Sequence, residues 1–157
     1  MSEAYRKYAQ ERIESLRTVR MTWYLHWRDL SSYILPRRYK WLISANDRSR
    51  GAEINTNIID STGTLAARTL ASGMMNGITS PTRPWFKLRI EGYEEDYEVQ
   101  SWLSDCERRM MTVFQSSNFY QSMAIMYFDL VVFGSACIII YENYDNIIHC
   151  FNPCLGE

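Results

Sequence analysis

Glycine (7 of 157 residues) and proline (4) are scarce in this chain. That scarcity excludes a collagen-like repeat and a linker-like composition. Neither sign of charge is in excess: 17 Lys and Arg stand against 18 Asp and Glu, a formal net charge of −1. Overall charge therefore gives no argument for a nucleic-acid partner. No apolar run reaches the ~18–20 residues of a membrane helix. The longest, Leu130–Ile140, is interrupted by Gly134 and Ser135, and no membrane partner is expected. The opening Met1-Ser-Glu-Ala-Tyr-Arg-Lys lacks the apolar stretch of a secretory signal, so the product is expected to start out in a cytosol.

Catalytic signatures are missing as well. The histidines are only His26 and His149, and no serine or cysteine stands in a Gly-x-Ser-x-Gly pattern. The carboxylates fall in polar runs and not singly on apolar faces, which gives no perturbed acid–base pair. No enzyme activity and no cofactor are expected. The four cysteines are Cys106, Cys137, Cys150 and Cys154. His149, Cys150 and Cys154 lie close together, yet no second closely spaced ligand pair completes a zinc site. Without a secretory context, free thiols are the expectation.

What the chain does have is an ordinary globular balance, 46% hydrophobic and 22% charged residues over a length suited to one domain. Its charge is strongly polarised. Residues 1–90 hold 15 Lys/Arg and 7 Asp/Glu, a net +8; residues 91–157 hold 2 Lys/Arg and 11 Asp/Glu, a net −9. Two physical readings follow: solvated faces that neutralise each other within one domain, or a head-to-tail contact between the basic half of one copy and the acidic half of the next.

Periodicity then places the elements. Ala9, Ile13, Leu16, Val19, Trp23, Trp27, Leu30 and Ile34 step by three or four, which predicts one long helix over about 3–34, stopped by Pro36. Residues 37–56 read as a polar loop carrying Arg37, Arg38, Lys40, Arg48 and Arg50, a candidate for contact with phosphate backbones. Asp60 is an expected N-cap for a second helix whose Gly63, Ala67 and Ala71 form a small-residue face. Gly73 in its interior calls for a packing reason, and Gly77 is expected to close it. The Asp-Ser-Thr-Gly-Thr start lacks the lysine of a phosphate-binding loop, which excludes a P-loop. After a stiff turn at Pro81–Pro84, Trp85–Ile90 alternates apolar and polar and reads as a half-buried strand. Acidic residues at 94–96 open a third helix. Asn118 is an expected cap for a fourth, ended by Gly134. Cys137–Tyr141 and Ile147–Phe151 are expected to pair as a hairpin, with Trp85–Ile90 available as a third strand. A two-stranded hairpin with an exposed apolar edge invites further pairing. Six of the eight methionines fall between Met74 and Met126 and suit a soft helical core.

Several strings together carry a family resemblance. They are Asp60-Ser-Thr-Gly-Thr, Arg68-Thr-Leu-Ala-Ser-Gly-Met-Met, Gly77-Ile-Thr-Ser-Pro and Arg83-Pro-Trp-Phe-Lys-Leu. Trp27-Arg-Asp-Leu-Ser-Ser-Tyr-Ile-Leu-Pro36, Trp102-Leu, Glu107-Arg-Arg-Met-Met, Ser117-Asn-Phe-Tyr, Phe133-Gly-Ser-Ala and Pro153-Cys-Leu-Gly-Glu157 occur around them. This pattern resembles the head-to-tail connector (portal) family of short-tailed bacteriophages over nearly the whole chain. On that resemblance Asp60, Gly63, Arg68, Gly73, Gly77, Pro81, Arg83, Pro84, Trp85, Asn118 and Gly134 are family-motif residues with structural roles, and none is catalytic.

The resemblance implies an α+β fold like the outer wing of a portal protein, with a long N-terminal helix, further packed helices and a small antiparallel sheet. It implies a homo-oligomeric ring, usually of twelve copies, at the portal vertex of a virion assembled in a bacterial cytoplasm. Double-stranded DNA would pass through that ring non-specifically during packaging and ejection. Terminase motor, tail adaptor and capsid proteins would be the further partners. Family members are several times longer, so residues 1–157 are expected to be their N-terminal, wing-like part, without stem, clip and channel. That suits a truncated frame, a split gene or a fragment. Two other readings are a small nucleic-acid-binding module using the 37–50 loop, and a truncated decoy that joins full-length rings.

Overall fold

A computed structural model describes residues 3–36 and 57–155. The elements, in order, are α1 (Glu3–Ile34), α2 (Thr62–Ile78), α3 (Tyr97–Ser116), α4 (Phe119–Phe133), β1 (Ile139–Asn143) and β2 (Ile147–Phe151). Four helices and a two-stranded antiparallel hairpin make the expected α+β class. The chain divides into two compact units, Met1–Thr64 and Leu65–Glu157.

The first unit is dominated by α1. Its 32 residues span about 48 Å. The apolar period predicted from sequence is present, but only Trp27 and Ser31 are buried. Ile13, Leu16 and Trp23 remain 50%, 52% and 53% exposed. Trp23 stacks on Trp27 at 6.5 Å between ring centroids, and the Arg20 guanidinium lies 5.8 Å from the rings of both Tyr24 and Trp27. At the far end the Ser31 hydroxyl donates to the Leu35 carbonyl (3.1 Å), and the Thr64 hydroxyl donates to the Ile34 carbonyl (3.2 Å). These bonds satisfy terminal carbonyls that the helix itself leaves open.

The second unit is built around α4. This helix is apolar all round, the signature of a buried element. Seven of its 15 residues are buried, among them Phe119, Met123 and Tyr127. They form one core with Ala71 of α2 and Cys150 of β2. Met74, Met75 and Met126 pack against that core, as expected of soft gap-fillers. Trp85, Phe86, Phe114, Phe119 and Tyr120 form a continuous aromatic stack; Trp85 lies parallel to Phe119 at 6.3 Å and Phe114 contacts Phe119 at 4.4 Å. Asp96 caps α3 by accepting from the backbone N–H of Glu98 and Val99. Gly134 ends α4 in the left-handed region (φ 70°), its N–H donating to the Leu130 carbonyl, a conformation that favours glycine.

Several expectations are corrected. Trp85–Ile90 forms no strand, and among the described residues the sheet has two strands, β1 and β2. Trp85 and Phe86 both turn toward the aromatic stack, which breaks the alternation a strand needs. The Leu88 N–H donates to the Glu107 carboxylate on α3 (2.7 Å), where a strand would use a neighbouring carbonyl. β1 begins at Ile139, not Cys137, and runs to Asn143; the Cys137 carbonyl accepts from the Asn152 side chain instead. The residues between the strands, 144–146, form a tight loop in which the Asp145 N–H donates to Asn143 Oδ1 (2.8 Å). Ile147 then takes a φ of 66°, and the Ile148 N–H donates to the Asn146 carbonyl across it. That is a γ-turn of the rare, strained kind, centred on a β-branched residue.

Candidate functional site

The family-motif residues fall into three groups. The first sets the ends of α2. The Asp60 carboxylate accepts from the Thr62 N–H (3.0 Å), so it closes the start of α2 as an Asx turn from two residues back. Gly63 lies where an added Cβ would come 4.0 Å from Ile34 Cγ1, an ordinary contact. At the other end α2 continues one residue past Gly77 to Ile78, and neither Gly77 nor Gly73 has a positive φ. The cap is supplied by Arg83, whose guanidinium Nη2 donates to the carbonyls of Asn76 (3.1 Å) and Gly77 (3.2 Å). A cation there also suits the negative end of the helix dipole. The packing reason expected at Gly73 is not found among the described residues: an added Cβ would meet nothing within 4 Å.

The second group ties the turn after α2 to the core. The Pro81 carbonyl accepts from Gln115 of α3 (3.3 Å), and Pro84 leads into Trp85. The Trp85 indole donates to the Tyr120 hydroxyl (3.2 Å), and the buried Thr79 hydroxyl donates to the Tyr127 hydroxyl (3.1 Å). Arg68 lines a shallow apolar groove of about 390 Å³ with Ala71, Ser72, Met75, Ala124, Ile125 and Phe128.

The third group is Asn118. It stands at the N-cap position of α4, but its side chain makes no capping bond, and Ser117 Oγ accepts from the Phe119 N–H instead. The Asn118 amide reaches across to β2. Its Nδ2 donates to the Cys150 carbonyl and its Oδ1 accepts from the Cys150 N–H, both at 2.8 Å. The Ser122 hydroxyl donates to the same carbonyl (3.3 Å). Local sequence signals could not reveal this, because the partner lies 32 residues away.

This clamp fixes the polarity of the hairpin. Cys150 faces Ile140 in the register. Both backbone groups of Cys150 are taken by Asn118, so Ile140 and Cys150 form a non-hydrogen-bonded pair. The backbone groups of Ile140 and Glu142 therefore point away from β2, along an outer edge. One face of the hairpin, with Ile138, Ile148 and Cys150, packs on the core. The other carries Ile139, Tyr141, Ile147 and Phe151, all exposed.

The remaining titratable groups offer little chemistry. No disulfide joins the four cysteines, and Cys150 is the buried one. Burial pushes its thiol pKa up. Arg108 and Arg109 bond the Asp105 carboxylate on the α3 surface and hold its pKa below the usual carboxylate range. No three His, Cys, Asp or Glu side chains among the described residues are placed to share a metal ion. No helix among them is long and apolar enough to cross a membrane. The basic residues Arg37, Arg38, Lys40, Arg48 and Arg50 lie outside the described residues.

A hairpin with an exposed apolar face, clamped onto the core by Asn118, is suited to assembly. Comparison with known proteins agrees. Residues 6–156 match the family described as bacteriophage head to tail connecting protein. The chain is 40% identical over 154 residues to the probable portal protein of Bordetella phage BPP-1, covering 97% of this chain and 27% of that protein. It is 41% identical over 150 residues to the portal protein of Salmonella phage epsilon15, covering 94% of this chain and 27% of that protein. The chain thus spans about a quarter of the length of these relatives. The chain belongs to the bacteriophage head to tail connecting protein family, whose members are structural and not enzymes.

Proposed function

We propose that the chain supplies the wing-like, N-terminal part of a portal subunit in a homo-oligomeric ring of twelve copies at the head-to-tail vertex of a phage virion. Double-stranded DNA passes through that ring during packaging and ejection. The terminase motor, tail adaptor and capsid proteins dock on the same ring. Arg37, Arg38, Lys40, Arg48 and Arg50 are the proposed positions of sequence-independent contact with DNA phosphates. The observation that carries the reading is the identity of 40–41% with two phage portal proteins over nearly the whole of this chain. The bare apolar surfaces of α1 and of the hairpin support it, since both want partners.

The test is a chimera in which this chain replaces the matching stretch of the portal protein of Salmonella phage epsilon15. The expected result is closed rings in electron micrographs. A soluble, folded chimera that stays monomeric would overturn the reading.

A further inference from the structure

Among the described residues, the second unit contains a sheet edge with no neighbouring strand and an unpaired segment in which exposed Lys87 and Arg89 alternate with half-buried Leu88. The edge is that of β1, where Ile140 and Glu142 direct their backbone groups outward. Ile140 and Tyr141 are 53% and 51% exposed, and Glu142 is exposed as well. The unpaired segment is Lys87–Ile90. The Leu88 N–H is held by Glu107 on one side. On the other side Lys87 and Arg89 make no backbone–backbone hydrogen bond among the described residues, and their side chains are exposed. Within one copy the two are not paired.

We propose that Lys87–Ile90 of one copy adds to the β1 edge of a second copy as an antiparallel third strand. The outward backbone groups fix the register. Lys87 and Arg89 must oppose Glu142 and Ile140, the residues whose N–H and C=O groups are free. Lys87 then stands directly across from Glu142, a cross-strand ion pair. Leu88 falls opposite Tyr141, and Ile90 opposite Ile139, on the outer apolar face of the hairpin. Three of the four positions find matched partners in this register, and exposed Arg89 lies across from the exposed Ile140.

Charge decides which occupant takes the edge. Two β1 edges pairing with each other would give Glu142 no cation, since β1 holds none, whereas Lys87–Ile90 brings Lys87 to it. Lys87–Ile90 carries two cations and no carboxylate, and β1 carries Glu142 and no cation, so the two segments attract between copies. The contact is heterologous, and repeated contacts of this kind close into rings when the rotation permits. It gives the ring proposed above a subunit contact and rests on that reading for closure.

The 157-residue chain is tested directly. A 1:1 mixture of unlabelled and 15N-labelled chain is treated with a zero-length carbodiimide cross-linker and mapped by mass spectrometry. The expected result is a Lys87–Glu142 cross-link between light and heavy chains. In sedimentation, Lys87→Glu and Glu142→Lys should each weaken self-association about tenfold, since attraction becomes like-charge repulsion. The double variant should restore it. A cross-link confined to single chains, no cross-link, equal association of the single variants and the parent, or no rescue would each overturn the contact. If the epsilon15 chimera still forms rings in that case, the ring reading stands and only this contact falls. If the parent chimera forms no rings while the cross-link and rescue appear, the contact stands and the ring reading falls.

Discussion

Helices α1 and α4 are both rich in aromatic and aliphatic residues, yet they solve opposite problems. α4 is short, apolar all round, and buries seven of 15 residues. α1 is twice as long, apolar on one stripe, and buries two of 32. The difference teaches that apolar content does not distinguish a core helix from an exposed one. What distinguishes them is how many polar positions separate the apolar ones. In α4 only Gln121, Ser122 and Asp129 do so, and the last two are themselves buried. In α1 arginines and glutamates fill the gaps, so the helix tolerates water while it keeps a hydrophobic stripe available.

This contrast can be broken by mutation. Phe119→Ala removes the ring at the centre of the aromatic stack and should cost about 3–5 kcal/mol in urea unfolding. Asn118→Ala should follow, at about 2 kcal/mol, because it strands the N–H and weakens the acceptor shell of buried Cys150. A smaller loss, within about 0.5 kcal/mol, would mean that the clamp is replaced by water. Ile147→Gly relieves a positive φ on a mostly exposed residue and should raise stability by about 1 kcal/mol. Leu16→Ser on α1 should shift unfolding by no more than about 0.5 kcal/mol. If it costs as much as Phe119→Ala, the stripe is core after all and the contrast between the helices fails.

Thiol chemistry sharpens the contrast further. With its pKa raised by burial, Cys150 stays a neutral thiol over the range in which an unfolded cysteine ionises. Stability contributed by that group is therefore present at neutral pH and declines as pH rises past the ordinary thiol pKa. Native alkylation should modify exposed Cys137 first and Cys150 last. Equal rates at the two would show that the α4–β2 junction opens readily.

Much of this architecture was legible in the sequence. The long α1, the acid-led α3, the glycine stop at 134 and the second strand all follow from local periodicity and capping. The errors share a cause. Trp85–Ile90 carries the alternation of a strand in its sequence, but alternation cannot say whether a partner edge is within reach. Asn118 has the propensity of a cap, but its amide meets a backbone 32 residues away. Gly77 looks like a helix terminator until Arg83 takes the carbonyls. In each case a side-chain hydrogen bond from outside the local element, six to 32 residues away, outcompetes a local preference. The motif strings carry the family, while the roles of single residues within them emerge only from these distant contacts.

The Asn118 clamp has one further consequence. Its amide occupies a rung where another strand could have attached, so it acts as a stopper on one margin of the hairpin while the opposite margin stays an open socket. A further strand can enter beside β1 but not beside Cys150, whose backbone groups are already taken. An asparagine read as the start of a helix thus decides which margin of the sheet is left for pairing.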